Sequence, residues 1–165
     1  MGNYETTIIW AKVRDDAVIP TKRIEDAGYD IYANFPETEI IINPHTTKLI
    51  PTGIASRLED NYYFQIEERG STGSKGIKKS AGVIDSTYSG EWFIAITNCN
   101  DLPLVITKDT QIQNPDMCIT YPYSKAIAQA VLHRVPLAET KEITYEELKA
   151  LPTTRGNGAL GSSGK

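Results

Sequence analysis

Short runs of β-branched and aromatic residues, broken by Pro, Gly, Asn and Asp, constrain the fold of this chain more than any other feature. Eight such runs lie at residues 6–13, 29–33, 38–43, 47–55, 62–68, 91–98, 102–107 and 127–135. Runs of this kind, bounded by turn residues, are typical of β-strands. Because helical segments do not alternate with them, the pattern predicts an all-β sandwich, barrel or jelly roll rather than βαβ units.

One short helix is predicted near the end of the chain, in the segment TYEELKAL at residues 144–151. Thr144 is a suitable N-cap, Glu147 stands three residues later, and Pro152 follows the segment. A threonine and a glutamate at this spacing form a capping box, and a proline just beyond the segment ends a helix.

Composition excludes several classes of protein. The chain has 165 residues, 40% of them hydrophobic and 23% charged, which is typical of one soluble globular domain. The net charge is −4, so we expect no nucleic-acid partner. No apolar run approaches the roughly 20 residues of a membrane span, and the N-terminus lacks a secretory signal. We therefore expect a cytoplasmic protein with no membrane association. Cys99 and Cys118 have neither metal-ligand spacing nor the number needed for a disulfide scaffold.

The segment ERGSTGSKGIKKSAG at residues 68–82 is the first candidate binding element. Its backbone N–H groups and hydroxyls, with the cations Arg69 and Lys75, are donors that suit phosphate oxygens. The same composition fits a solvated hairpin loop equally well, so the segment alone does not decide between the two. It does not contain the Walker A pattern.

Two aspartates lie at the edges of apolar strands. Asp85 follows Val83 and Ile84, and Asp30 lies within AGYDIYA at residues 27–33. A carboxylate in such a place can hold and polarise a water molecule if a partner orients it. Taken singly, each is better explained as a turn residue or as a strand-edge aspartate bonded to nearby backbone.

Five segments, spread over nearly the whole chain, form an ordered set. They are AGYD at 27–30 (motif one), RGSTGSKGI at 69–77 (motif two), GVIDSTYSGE at 82–91 (motif three), AIAQ at 126–129 (motif four) and RGNGALGSSG at 155–164 (motif five). In this order they resemble the motifs of the homotrimeric dUTP diphosphatase (dUTPase) family, and motifs three and five are the specific ones. The long connection near 108–125 is similar to bacteriophage members that carry an extra insert between motifs three and four.

The resemblance implies a dUTPase-like β-clip, a distorted jelly-roll barrel with one short helix, that assembles as a homotrimer. Residues 1–152 would form a single β domain, with the insert at about 108–125. Residues 153–165 would form a flexible glycine-rich tail that closes over the active site of a neighbouring subunit. The implied activity is hydrolysis of dUTP to dUMP and pyrophosphate, which keeps uracil out of DNA and supplies dUMP for thymidylate synthesis.

The resemblance also implies catalytic and metal-binding roles. Asp85 would orient and deprotonate the attacking water, and Arg69 would steady that carboxylate and neighbouring phosphate charge. Mg²⁺ would be held by oxygens of all three phosphates, and Asp30 would contact it through a water molecule.

The remaining implied residues would bind the nucleotide. A turn around residues 79–84 would bind the uracil edge, and Tyr88 would pack under the deoxyribose. The full set implied to bind substrate is Gly70, Ser71, Thr72, Gly82, Val83, Ile84, Tyr88, Gln129, Arg155, Leu160, Gly161, Ser162 and Ser163.

Two positions depart from the family pattern. Leu160 stands where the family has an aromatic residue that stacks on uracil, and Gly70 stands where a hydroxyl residue often follows the arginine. Two alternative functions stay open. One is a dCTP deaminase-type relative, and the other is a phage dUTPase-like regulator that binds a protein partner through residues 108–125.

Overall fold

Twelve short strands and two short helices make up the part of the chain that the structure, a computed structural model, describes: residues 4–109, 111 and 115–153. The strands are β1 (Ile9–Lys12), β2 (Gly28–Ile31), β3 (Glu39–Ile42), β4 (Thr47–Pro51), β5 (Ile54–Arg57), β6 (Tyr62–Glu67), β7 (Ile77–Lys79), β8 (Val83–Asp85), β9 (Phe93–Asn98), β10 (Leu104–Thr107), β11 (Ile119–Pro122) and β12 (Ala128–Arg134). The helices are α1 (Gly70–Gly73) and α2 (Tyr145–Ala150). The predicted all-β class is confirmed. Among the described residues, no helix has the length and apolar character needed to cross a bilayer.

The strands are distributed over four small sheets. Their orders are β1-β5, β11-β10-β3, β2-β12-β6-β8 and β4-β9-β7. Strand pairing is antiparallel except between β10 and β11, and most neighbours are distant in the sequence. Small antiparallel sheets joined by long crossovers are typical of a jelly-roll-like fold.

An aromatic cluster fixes the four-stranded sheet to the core. The ring centroid of Trp10 lies 5.3 Å from that of Phe64 and 5.1 Å from that of Trp92, and Phe64 and Trp92 are fully buried. Phe64 reaches this cluster because β6 alternates, with Tyr62, Phe64 and Ile66 buried and the residues between them half-buried. Aromatic pairs at such distances contribute about 0.5–1.5 kcal/mol beyond the burial of their area. The cluster therefore holds β6, the strand between β12 and β8, in one register.

The helix predicted at residues 144–151 is confirmed as α2. The Thr144 hydroxyl accepts a hydrogen bond from the Glu147 backbone N–H at 3.2 Å, and the Glu147 carboxylate accepts one from the Thr144 backbone N–H at 2.7 Å. The first turn is thus capped in both directions, as the sequence pattern predicts.

The single strand predicted at residues 47–55 is wrong, because the chain turns at Gly53. Gly53 has a φ of 67°, in the left-handed region that residues with a side chain seldom adopt. Its carbonyl accepts a hydrogen bond from the Val13 backbone N–H at 2.7 Å. The turn separates β4, which pairs with β9, from β5, which pairs with β1. The residues of this one apolar run therefore form strands of two different sheets.

Regular structure also occurs where the sequence predicts loops. The segment 68–82 contains α1 and then β7. Two of the three residues of β7 are lysines, so its sequence is not typical of a strand. The expectation of one helix is corrected to two. The turn predicted around residues 79–84 is confined to residues 80–82, because Lys79 ends β7 and Val83 begins β8.

The last part of the connection predicted at residues 108–125 belongs to a sheet. Its residues Ile119–Pro122 form β11, which pairs in parallel with β10, and Tyr121 is only 3% exposed. The segment predicted as an insert therefore includes a paired strand, and its status as an insert stays a prediction. The protein partner predicted for this segment stays a prediction.

We expect Gly53→Ala to lower the free energy of unfolding by about 2–3 kcal/mol, because the new Cβ is strained and crowded. That Cβ would lie 2.5 Å from the Asn34 side-chain oxygen and 2.8 Å from the Ala17 Cβ. Urea unfolding at one fixed protein concentration measures the change. The control is Gly70→Ala, where a Cβ would meet nothing within 4 Å and stability should change by less than about 0.5 kcal/mol. Equal effects at the two glycines would contradict the explanation.

Candidate active site

A polar cavity of about 400 Å³ lies where β2, β12 and α1 meet, and we call it the Arg69 cavity. Parts of motifs one, two and four, together with residues just before motif one, line it. The lining residues are Arg23, Asp26, Ala27, Gly28, Asp30, Arg69, Gly70, Ser71 and Gln129. Of the residues predicted from the sequence, the fold thus brings together Asp30, Arg69, Gly70, Ser71 and Gln129.

An ion pair between Arg69 and Asp30 spans the cavity wall. The Arg69 Nε lies 2.9 Å from Asp30 Oδ1, and an Arg69 Nη donates to Oδ2 at 3.3 Å. This two-point contact fixes the plane of the guanidinium. Both side chains are about one-third exposed, so the pair can still be reached by a ligand.

The pairing of β12 with β2 places Gln129 directly opposite Asp30. The Gln129 side-chain nitrogen donates to the Glu68 carbonyl at 2.9 Å, which ties β12 to the residue before Arg69. A Cβ on Gly28 would lie 2.5 Å from the Gln129 amide oxygen. The glycine of motif one is therefore needed for Gln129 to occupy this place.

The one-turn helix α1 positions Arg69 at the rim. The Thr72 hydroxyl accepts from the Arg69 backbone N–H at 3.1 Å and donates to the Arg69 carbonyl at 3.0 Å. Thr72 is buried and does not line the cavity, so its hydroxyl serves the turn itself. Gly70 and Ser71 are the residues of this turn that face the cavity.

Tyr121 is a buried residue of β11 whose electrostatic partners include Ser71 and Arg69 of the cavity wall, and the sequence analysis missed it. Its hydroxyl donates to the Ala126 carbonyl at 2.6 Å. Burial raises the pKa of Tyr121, while hydrogen bonds from the side chains of Ser71 and Arg69 act in the opposite direction. The net shift is upward, so the phenol is neutral near pH 7. No local signal marks this residue, because Ser71 and Arg69 are distant from it in the sequence.

A second cavity, of about 300 Å³, is mainly apolar and contains Asp85; we call it the Asp85 cavity. Its walls are the side chains of Leu49, Val83, Ile84, Asp85, Tyr88 and Phe93. The Tyr88 hydroxyl donates to the Glu91 carbonyl at 2.9 Å, which closes a turn within motif three. Gly82 is not among the residues that line this cavity, and its carbonyl accepts from the Ile66 backbone N–H at 2.6 Å. Its predicted role in substrate binding stays a prediction.

The two cavities are far apart on one chain. In the sheet β2-β12-β6-β8, Asp30 pairs across Gln129 with Glu67, whereas Asp85 pairs with Tyr63. Asp30 and Asp85 are therefore separated by three strand spacings across the sheet, about 14 Å, and by four residues along the direction of β6, about 13 Å. The backbones of the two aspartates are thus about 19 Å apart. Within one chain Arg69 pairs with Asp30. The role predicted for Arg69 beside the Asp85 carboxylate would need a second chain and stays a prediction.

A second arginine–carboxylate pair anchors the loop of motif three, and we call it the Glu91 clamp. Both terminal nitrogens of Arg14 contact the Glu91 carboxylate, and the Gly53 backbone N–H donates to it at 2.9 Å. Arg14 also donates to the Asn34 carbonyl at 2.7 Å. Burial alone would raise the pKa of Glu91, but the hydrogen bonds from Arg14 and Gly53 outweigh it and lower the pKa below its usual 4.5. Arg14 and Asn34 escaped the sequence analysis.

Comparison with known proteins shows to which family the sequence belongs. The sequence model of the dUTPase family matches residues 15–114. The chain belongs to the dUTPase family. The deoxyuridine 5′-triphosphate nucleotidohydrolase of Debaryomyces hansenii is 35% identical over 153 residues, which cover 92% of this chain and 83% of that protein. The enzyme of the same name from Nautilia profundicola is 32% identical over 158 residues, with 93% and 96% covered.

Solved structures of phage dUTPases have the same fold as this family member. A mutant of Staphylococcus bacteriophage 80alpha dUTPase with dUpNHpp superposes with a TM-score of 0.73 at 21% identity, covering 95% of this chain and 98% of that one. The dUTPase from phage phi11 of S. aureus, in a structure that visualises its species-specific insert, gives a TM-score of 0.66 at 21% identity, covering 83% and 96%. At these identities the likeness concerns the fold.

Several predicted residues lie outside the described part of the chain. They all belong to motif five: Arg155, Leu160, Gly161, Ser162 and Ser163. Their roles stay predictions.

We expect Glu91→Gln to remove the charge of the clamp and to lower the free energy of unfolding by about 2 kcal/mol at pH 7. Because the folded-state pKa of Glu91 is lowered, its contribution is present above pH 4.5 and is lost as the pH falls through the lower folded value. The wild type should therefore lose stability more steeply than the variant below about pH 5.

Urea unfolding at a series of pH values measures both effects. The matched control is Glu5→Gln, which removes the exposed Glu5–Arg134 pair and should change stability by less than about 0.5 kcal/mol. If Glu91→Gln had the same acid profile as the wild type, the clamp would not be the source of the pH dependence.

Proposed function

We propose that this dUTPase family member hydrolyses dUTP to dUMP and pyrophosphate. The observation that carries the proposal is that the chain has two cavities with different linings, one polar and one mainly apolar. The Arg69 cavity offers a guanidinium, a hydroxyl and an amide to an anion, and the Asp85 cavity offers apolar walls and one carboxylate. A nucleoside triphosphate fits both cavities, because its base and sugar are uncharged and present flat faces to apolar walls, whereas its phosphates are anionic. The names of the relatives support dUTP as the substrate.

Assembly of three copies would complete the site. Since the backbones of Asp30 and Asp85 lie about 19 Å apart in one chain, we propose that the Arg69 cavity of one subunit meets the Asp85 cavity of another. The rim of the Asp85 cavity supports this, because Leu49, Val83 and Phe93 are 61%, 60% and 45% exposed in the single chain. Apolar side chains clustered in this way are typical of a surface that another chain covers.

The Asp85 cavity would select the base and the sugar. Backbone groups beside Val83 and Ile84 would bind the uracil edge, and the Tyr88 ring would pack against deoxyribose, where it leaves no room for a 2′-hydroxyl. A site that pairs specific polar edges rejects a mismatched base strongly, because buried groups are then left unpaired. Thymine, with an added methyl group, and cytosine, with an amino group, would be excluded at the same wall.

The Arg69 cavity would bind the triphosphate together with Mg²⁺. Among the described residues, no group of three or more His, Cys, Asp and Glu side chains could hold a metal ion by itself. Mg²⁺ commonly binds through one or two carboxylates, several waters and substrate phosphates, and Asp30 is a carboxylate of this cavity. Asp30 would therefore contact the ion through water, and the bound ion would offset charge on the phosphates.

Asp85 would act as the general base. It would accept a proton from a water molecule, whose oxygen then forms a bond to the α-phosphorus. The bond between the α-phosphorus and the oxygen that bridges to the β-phosphorus breaks, and pyrophosphate leaves. Arg69 and Gln129, from the neighbouring subunit, would hold the phosphates in line.

The tail would close over the bound nucleotide. We infer this from composition, because residues 153–165 contain few apolar anchors and ordering costs about 1–2 kcal/mol per residue unless ligand contacts offset it. Arg155 would pair with a phosphate, Ser162, Ser163 and the backbone near Gly161 would donate further hydrogen bonds, and Leu160 would cover the uracil face by apolar contact.

A nucleotide panel with pyrophosphate detection tests the reaction. We expect release of pyrophosphate from dUTP in the presence of Mg²⁺, and rates at least about a hundredfold lower with dTTP, dCTP and UTP. Asp85→Asn should reduce turnover of dUTP by at least about a hundredfold, because the base is lost and the shape is kept. Release of ammonia from dCTP would indicate a deaminase instead, and an Asp85→Asn rate within tenfold of the wild type would contradict the assignment of the base.

Mixed assemblies test whether the site is shared. Asp85→Asn and Arg69→Ala chains should each be inactive alone. After co-refolding in equal amounts, about a quarter of the sites should combine an intact Arg69 cavity from one chain with an intact Asp85 cavity from another, and about a quarter of wild-type activity should return. Mass spectrometry of the mixture provides the control that chains have exchanged. Exchange without recovery would contradict a site formed between subunits.

A further inference from the structure

A second arginine–aspartate pair lies in the Arg69 cavity, just before motif one. Arg23 and Asp26 are among the residues that line this cavity, and neither belongs to any of the five motifs. The Arg23 Nε donates to Asp26 Oδ2 at 3.0 Å, and one Arg23 Nη donates to Oδ1 at 2.8 Å. In the same fork geometry a guanidinium binds a phosphate through two parallel hydrogen bonds.

The charged side chains of the Arg69 cavity cancel one another. Of the described residues that line it, two are arginines and two are aspartates, and each arginine is paired with one aspartate. The hydrogen bond from Arg23 lowers the pKa of Asp26, so this carboxylate is charged at neutral pH. A triphosphate carries several negative charges and meets no net positive charge at such a wall. It gains most if a guanidinium donates to phosphate while the carboxylate partner is left to solvent.

Arg23 is the more easily redirected of the two arginines. Its side chain is 75% exposed, whereas that of Arg69 is 33% exposed. An ion pair so open to water contributes little to stability, so the Arg23 guanidinium can leave Asp26 at small cost. The Asp26 carboxylate would keep another hydrogen bond, from the Arg23 backbone N–H at 3.2 Å.

Backbone contacts hold the turn of residues 23–26 independently of the guanidinium. The Asp26 N–H donates to the Arg23 carbonyl at 3.2 Å, and the Lys22 Nζ donates to the Asp26 carbonyl at 2.8 Å. The Lys22 ammonium also lies 5.6 Å from the centroid of the Tyr29 ring, within the range of a cation–π contact. The backbone that carries Arg23 is therefore anchored, and only its side chain needs to move.

We propose that Arg23 is a further phosphate-binding residue of the Arg69 cavity, and that Asp26 competes with the phosphate for its guanidinium. The proposal rests on the proposed function for the identity of the ligand. Arg23 then strengthens binding of a triphosphate, and Asp26 weakens it. A pair that only held the turn before motif one would behave differently, because loss of either partner would then weaken binding.

The test compares Arg23→Gln with Asp26→Asn by titration calorimetry in the presence of Mg²⁺. One ligand is the α,β-imido analogue of dUTP, which carries three phosphates and is not hydrolysed at that bond, and the other is dUMP. We expect Arg23→Gln to weaken binding of the analogue about tenfold, as for loss of a hydrogen bond to a charged group. Asp26→Asn should strengthen it about fivefold, because a competing negative charge is removed. Binding of dUMP should change less than about twofold in both variants, because the Asp85 cavity is untouched.

The matched control is Glu25→Gln. The Glu25 Oε1 lies 3.5 Å from the Arg23 Nε, but Glu25 is not among the residues that line the cavity. This variant changes the net charge of the protein by the same amount as Asp26→Asn. It should alter binding of the analogue less than about twofold, because its charge is exposed and screened by salt. Urea unfolding should give wild-type midpoints for all three variants, since the pairs that they remove are exposed.

Unchanged or weaker binding of the analogue to Asp26→Asn would show that Asp26 does not compete with phosphate, and would overturn the proposal. Unchanged binding of the analogue to Arg23→Gln would overturn it as well. An equal gain in Glu25→Gln and Asp26→Asn would assign the effect to net charge rather than to the pair in the cavity, with the same consequence. A wild type that binds neither nucleotide would instead overturn the proposed function, and the inference with it.

Discussion

The register of β12 between β2 and β6 is the constraint on which the Arg69 cavity depends. Gln129 lies opposite Asp30 on one side and opposite Glu67 on the other. Side chains alternate between the faces of a sheet, so a slip of one residue would turn Gln129 into the core and Ala130 out of it. The aromatic cluster around Phe64 opposes that slip, because it holds β6 by the alternate buried side chains of the same strand.

The Glu91 clamp and the Arg69–Asp30 pair differ in exposure and therefore in what they contribute. In the Glu91 clamp the carboxylate side chain is 15% exposed and also accepts a backbone N–H, so the charge is enclosed and contributes to stability. In the Arg69–Asp30 pair both side chains are about one-third exposed, and an ion pair so open to water contributes little to folding. The second pair is therefore free to exchange some of its contacts for those of a ligand.

Local patterns in the sequence predicted the local parts of the structure. The alternation of β6 and the capping box of α2 lie within a few neighbouring residues, and both are confirmed. The break between β4 and β5 depends on Gly53 meeting Val13, and the strand β11 depends on β10, so neither was visible in a short window. The motifs identified candidate site residues, but only the sheet order shows that Arg69 and Asp85 face two separate cavities. Three further residues belong to no motif and interact with residues distant in the sequence: Arg14, Asn34 and Tyr121.

The Glu91 clamp joins segments that leave the ribosome at very different times. Arg14 precedes Glu91 by 77 residues, and Asn34 and Gly53 lie between them. A nascent chain thus carries an Arg14 that lacks its carboxylate partner until the loop beyond Asp85 has been translated. Closing so long a loop is slow compared with forming a helix turn. The segment that bears Asp85 is therefore anchored by a contact that cannot form before Glu91 has been synthesised.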